Sequence, residues 1–160
     1  MSLPIVIAPD PRLHRKARRV EVVSEEIQEL LNNILKTLHE NNAIGLSANH
    51  VGIDWQLVVI DLDEKSPIFM VNPIITHKSD EMVKSEEGSV SFPGITVEIM
   101  RHKKITVEFL DYNGQKNVLE MDGLLSICTQ HEIDQMNGIT IVDGLSHLKK
   151  NFLMKKLLKN

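Results

Sequence analysis

The sequence predicts a single α+β domain, and three observations carry that reading: an early amphipathic helix, a middle stretch of short strand-like segments, and two late helices. At 160 residues the chain is one domain, residues 1–160, long enough to bury a core of its own. Hydrophobic residues make up 42% and charged residues 25%, the balance of a globular chain. The net charge of −4 implies no global attraction to nucleic acid or to a membrane surface.

The elements follow in order. Residues 9–20, from Pro9-Asp10-Pro11-Arg12 through a basic stretch to Val20, read as an extended arm. Ser24 is an N-cap, and Glu25 and Glu26 suit the positive end of the helix that follows. Ile27, Leu30, Leu31, Ile34, Leu35 and Leu38 fall on one face, and Asn41-Asn42 ends the pattern. Leu57 to Leu62 is a continuous apolar run, the signature of a buried strand. Ile68–Val71 and Ile74–Thr76 are strand-like around an Asn72-Pro73 break. Ile105, Val107 and Phe109 alternate with polar residues, and Asp111-Tyr112-Asn113-Gly114 turns the chain into a partner strand near 117–121. A second helix opens near Asp122 and stops at Asn137-Gly138, and a third covers Ser146 to Leu158.

Cys128 is the lone cysteine, so no intramolecular disulfide can form, which fits a reducing compartment. The N-terminal apolar run is broken by Pro4 and has no basic leader. No stretch is long enough to span a bilayer. The expected location is the cytoplasm, with no membrane partner.

The chemistry concentrates in Gln130-His131-Glu132-Ile133-Asp134-Gln135 on the second helix. In a zinc-type His-Glu-x-x-His site, two imidazoles one turn apart hold the ion and the glutamate activates its water. Here the second position is Gln135, and His-Glu-x-x-Gln alone is a weak signal. Two further segments strengthen it: Ile44-Gly45-Leu46-Ser47-Ala48-Asn49-His50-Val51-Gly52, and Glu86-Glu87-Gly88-Ser89-Val90-Ser91. With the helical motif they resemble, in order and spacing, the three signatures of the peptide deformylases. Pro9-Asp10-Pro11, Val71-Asn72-Pro73, Arg101 and Asn137-Gly138 agree with that resemblance, which covers essentially the whole chain.

The resemblance implies the deformylase fold, antiparallel sheets around a helix that carries His131 and Glu132. It implies removal of the formyl group from the N-terminal formyl-methionine of nascent proteins, with Fe2+ or Zn2+ held by one Cys and two His. His131 matches a metal ligand and Glu132 the catalytic glutamate. Ser89 stands in the place of the Cys ligand and Gln135 in that of the second His. His50 replaces the glutamine that stabilises the oxyanion together with a backbone N–H, here that of Val90. Ile44, Gly45, Arg101, Leu124, Ile127 and Cys128 match substrate-binding positions. The partner so implied is a formyl-methionyl or N-terminal methionyl peptide.

The substitutions change the expected chemistry. A serine hydroxyl stays protonated near neutral pH and a carboxamide oxygen is neutral and hard, so neither replaces a thiolate or an imidazole around a transition ion. The metal is therefore expected to be weakly bound or absent, and formyl hydrolysis slow or absent. Against this stands a working hydrolase with an altered shell, for example His131, Gln135 and His50. Cys128 shares their helix face and is a second replacement ligand to weigh, and Ser89 with His131 as base is a third arrangement. The terminal helix carries five lysines, Lys149, Lys150, Lys155, Lys156 and Lys159. It reads as a docked helix with a solvated basic face, or as a contact with ribosomal RNA, which the resemblance suggests.

Overall fold

Alternation in the middle of the chain resolves into two antiparallel sheets in the computed structural model, which describes residues 2–159. Helix α1, Glu25–Glu40, starts where the Ser24 side chain accepts a hydrogen bond from the Ile27 backbone N–H. Strand β1, Gly45–Ser47, follows its C-terminal loop and leads into a 3-10 turn over Ala48–Val51. The remaining strands are β2 (Leu57–Ile60), β3 (Ile68–Lys78), β4 (Met82–Ser89), β5 (Phe92–His102), β6 (Lys104–Leu110) and β7 (Lys116–Asp122). Helices α2, Gly123–Met136, and α3, His147–Leu158, complete the order. One sheet runs β1-β2-β3-β6-β7 with every neighbour antiparallel, and β4 and β5 form a separate hairpin.

The apolar run at 57–60 is explained by burial on both sides. Leu57 and Val59 pack with Ile27, Leu31, Ile34 and Leu38 of α1, while Val58 and Ile60 pack with Cys128, Ile133 and Met136 of α2. The large sheet is thus sandwiched between the two helices near this strand. A third core joins the N-terminal arm (Val6, Ala8, Leu13) to the hairpin (Phe92, Ile95, Val97) and to Leu157 of α3. The terminal helix is therefore docked through one side, while Leu148 and Phe152 remain exposed. Among the described residues no helix is long and apolar enough to cross a membrane.

Four differences from the sequence reading have physical causes. The arm at 9–20 is not uniformly extended. Pro11–His14 forms a 3-10 turn, closed by the Asp10 carboxylate accepting from the Arg12 backbone N–H at 2.9 Å. The Asn72-Pro73 break does not end a strand; β3 continues through it, with a register shift against β6 between Val71 and Ile74. The second strand ends at Ile60, two residues early, and the side chain of Asp61 instead meets His39 of α1 at 2.6 Å. The long β4–β5 hairpin was not read as strands, because Met82–Ser89 is rich in charged and small polar residues and most of it stays in water.

Asn72 fastens the arm to the sheet. It sits at φ 53°, a conformation asparagine tolerates better than most side chains. Its side chain accepts from the Val20 N–H at 2.8 Å and donates to the Val20 carbonyl at 2.7 Å, both in a buried setting. An Asn72→Ala variant strands both backbone groups, each worth about 1–3 kcal/mol when left unsatisfied. Its unfolding free energy in urea should fall by about 2–4 kcal/mol with the fold retained.

Candidate functional site

The three sequence segments converge on one pocket of about 430 Å³. Its walls are the loop after α1 (Asn41 to Gly45), the end of β4 and the hairpin tip (Ser85 to Val90), and one face of α2 (Leu124 to Glu132), with His50 at its base. Ile44, Leu124, Ile127 and Cys128 supply apolar lining to the pocket, and Ser89 and Val90 also line it. Gly45 is required by close approach. A Cβ added there would lie 2.7 Å from Cys128 Sγ and 2.9 Å from Ile60 Cδ1, so β1 packs its bare backbone against α2.

The pocket floor is a chain of buried polar groups. Glu132 Oε1 lies 3.0 Å from His50 Nε2, and the other ring nitrogen of His50, Nδ1, lies 2.9 Å from Ser91 Oγ. On the other side, Glu132 Oε2 lies 3.9 Å from His131 Nε2, while His131 Nδ1 donates to Glu87 Oε1 at 2.8 Å. Arg101 then clamps Glu87 through Nε at 2.9 Å and Nη2 at 2.6 Å, and reaches Asp134 through Nη1 at 2.6 Å. Ser91, His50 and Glu132 are almost wholly excluded from water. Helix α2 can carry Glu132, Gln130, Gln135 and Thr129 inward because each sits between the sheet and the hairpin or arm rather than at a solvent face.

This packing sets the charges. Burial alone would push the Glu132 carboxyl up, but His131, His50 and a backbone hydrogen bond from Ser47 hold it below the ordinary range, so it is ionised. Burial likewise opposes a charged His131, yet the Glu132 and Glu87 carboxylates raise its pKa above the usual imidazole value. Glu87 shows the balance most clearly: desolvation raises it, and Arg101 and His131 outweigh that and bring it down to about 2. His50 Nε2 faces the ionised carboxylate and is placed to donate to it, while Nδ1 faces the Ser91 hydroxyl, which can donate or accept.

Ser89 and Gln135, which the resemblance sets at ligand positions, are engaged in bonds of their own. Ser89 Oγ accepts from the Ser91 backbone N–H at 3.1 Å, and Gln135 Nε2 donates to the Leu13 carbonyl at 2.7 Å. A protonated hydroxyl and a carboxamide tied to the arm do not fit the ion that a Cys and two His would hold. A different set does come together. Ligand atoms of His50, His131 and Glu132 all lie within 4.8 Å of one another.

Cys128 does not join that set. It is buried in the pocket wall, and burial together with the nearby Glu132 and Glu87 pushes its thiol pKa well up, so it remains protonated rather than offering a thiolate. Arg101, expected beside the substrate, lies behind His131 with its guanidinium committed to Glu87 and Asp134, and it does not line the pocket. Sequence reasoning did not foresee the roles of Glu87, Ser91 and Asp134. The only available signal was their place inside the motifs that carry His131 and Ser89.

A pH dependence follows from Glu87. Its low folded pKa contributes stability that is complete above its ordinary value of 4.5 and is lost as pH falls toward about 2. Urea unfolding of the wild type should therefore weaken over that window, and Glu87→Gln should make the decline shallower.

Comparison with known proteins agrees with this architecture. A family profile described as "Polypeptide deformylase" matches residues 2–151. The chain is 44% identical to a "Peptide deformylase-like" protein of Rickettsia conorii, over 98% of this chain and 87% of the relative. It is 40% identical to a peptide deformylase of Pelagibacter ubique, over 97% and 92% of the two chains. The crystal structure of peptide deformylase from Ehrlichia chaffeensis superposes with a TM-score of 0.96 at 35% identity, covering 99% of this chain and 96% of the other. Family profile, relatives and fold agree: the chain belongs to the polypeptide deformylase family, metal-dependent enzymes that remove N-terminal formyl groups.

Proposed function

We propose that this chain is a deformylase-family protein that receives the formyl-methionyl or methionyl N-terminus of a peptide in the pocket but hydrolyses the formyl group weakly or not at all. The observation that carries the reading is the donor set: Ser89 and Gln135 stand where the family resemblance calls for a thiolate and an imidazole, and both are engaged in bonds of their own. The apolar side formed by Ile44, Leu124, Ile127 and Cys128 suits a methionine side chain, and the Val90 backbone lies at the edge where the formyl oxygen would sit. His50 adds to the impairment. Its Nε2 proton is directed at Glu132, so it is not free to stabilise a developing oxyanion as a carboxamide would. Glu132, ionised and bound on both sides, has only ordinary water to activate.

The test is formate release from formyl-Met-Ala-Ser. Wild-type protein should bind the peptide, by calorimetry, with little or no formate produced. The double variant Ser89→Cys/Gln135→His should hold a metal through sulfur and release formate at least about a hundredfold faster. A histidine at 135 can take over the bond to the Leu13 carbonyl through Nδ1–H and present its other nitrogen to the pocket. Brisk turnover by the wild type would overturn the reading.

The expected cytoplasmic location belongs to this proposal, as does a contact between α3 and ribosomal RNA. Lys149, Lys150, Lys155, Lys156 and Lys159 supply the charge, although Lys150 is partly spent on Asp143 at 3.3 Å. Exposed Leu148 and Phe152 add apolar surface beside them. Co-sedimentation with ribosomes should be strong at 50 mM salt and fall by an order of magnitude or more at about 200 mM; salt-insensitive binding would refute an electrostatic contact.

A further inference from the structure

We propose that His50, His131 and Glu132 form a site for one divalent transition ion, built on a donor set different from Cys and two His. The geometry has three independent supports. First, the spacing suits shared coordination. Ligands about 2.0–2.2 Å from a tetrahedral ion lie about 3.4 Å apart. One ligand atom from each of the three residues lies within 4.8 Å of the other two, with Glu132 Oε1 3.0 Å from His50 Nε2 and Oε2 3.9 Å from His131 Nε2, so a small contraction around an ion reaches that spacing. Second, both imidazoles are oriented as metal-ligating histidines usually are. Each has its Nδ1 held by an outer partner, Glu87 for His131 and Ser91 for His50, and each turns Nε2 toward the same carboxylate. Third, the charge suits a cation: the buried carboxylate of Glu132 faces two imidazole nitrogens, while Glu87 behind them is already balanced by Arg101.

One rearrangement of a proton opens the site. Without an ion, Nε2–H of His50 donates to Glu132 and the Ser91 hydroxyl donates to Nδ1. With an ion bound, Nδ1 carries the proton and donates to Ser91 Oγ, and Nε2 turns its lone pair inward. A hydroxyl both donates and accepts, so Ser91 serves either tautomer. Two imidazole nitrogens and one carboxylate oxygen select Zn2+, Co2+ or Fe2+ over Mg2+ and Ca2+, which take all-oxygen shells. The site goes beyond the proposed loss of hydrolysis and is compatible with it: Glu132 becomes a ligand, so an ion held here leaves no carboxylate in the role of base.

The test uses the whole chain, freed of metal by chelator dialysis and titrated with Zn2+ or Co2+ by calorimetry. One equivalent should bind, and Zn K-edge absorption on the wild type should show two imidazoles and no sulfur. His50→Gln should weaken affinity at least about a hundredfold, and Ser91→Ala, acting through the ring orientation, about tenfold. Circular dichroism reports whether each variant is folded, and the wild-type absorption measurement stands even where a variant is not. A single imidazole, any sulfur ligation, undiminished affinity in folded His50→Gln, or no binding at millimolar Zn2+ would overturn the site. Each of these reads the ion rather than formate, so failure here leaves the peptide-binding proposal separately testable.

Discussion

Glu132 is an ionised carboxylate almost wholly removed from water, and much of the site is arranged around that fact. A buried charge is tolerated only when paired and hydrogen-bonded on all sides. Here the pairing extends as an alternating series: Ser91, His50, Glu132, His131, Glu87, Arg101, Asp134. The members come from the 3-10 turn after β1, the hairpin, β5 and α2, so the series also ties those elements to one another. Removing one partner of such a buried pair typically costs about 3–5 kcal/mol, because the other is left unsatisfied. Positions inside the series are therefore hard to change one at a time.

Ser89 and Gln135 lie beside the series rather than within it. Each makes one hydrogen bond to backbone, and neither balances a buried charge. A change of side chain at either position leaves no buried charge unpaired. His50 is the opposite case. An imidazole there has taken a place between Ser91 and Glu132, which makes it part of the charge balance of the pocket.

The fold was legible where burial imposed a period. α1 shows one apolar stripe because one side faces the sheet, and Leu57–Ile60 is apolar throughout because helices cover both sides. The β4–β5 hairpin was not legible, since its outward residues are charged and its inward ones are widely spaced. At the site, the motifs identified His131, Glu132, Ser89, Gln135 and His50 as neighbours. They could not reveal that His50 pairs with Glu132, 82 residues away, or that Gln135 is turned to Leu13, 122 residues away. Such partners depend on how the arm and hairpin close over α2, a relation no local pattern encodes. The placement of Arg101 has the same origin: its orientation is set by Glu87 across the β4–β5 ladder and by Asp134 on α2.

The core shared by Val6, Leu13 and Leu157 has a bearing on biogenesis. Segments far apart in the sequence meet there, so the arm that receives the Gln135 side chain cannot be held fully until residue 157 has been synthesised and released from the exit tunnel. Contacts of such long sequence separation form late and slowly. A nascent chain therefore leaves the pocket helix without its closing arm until the helix that carries Leu157 has emerged.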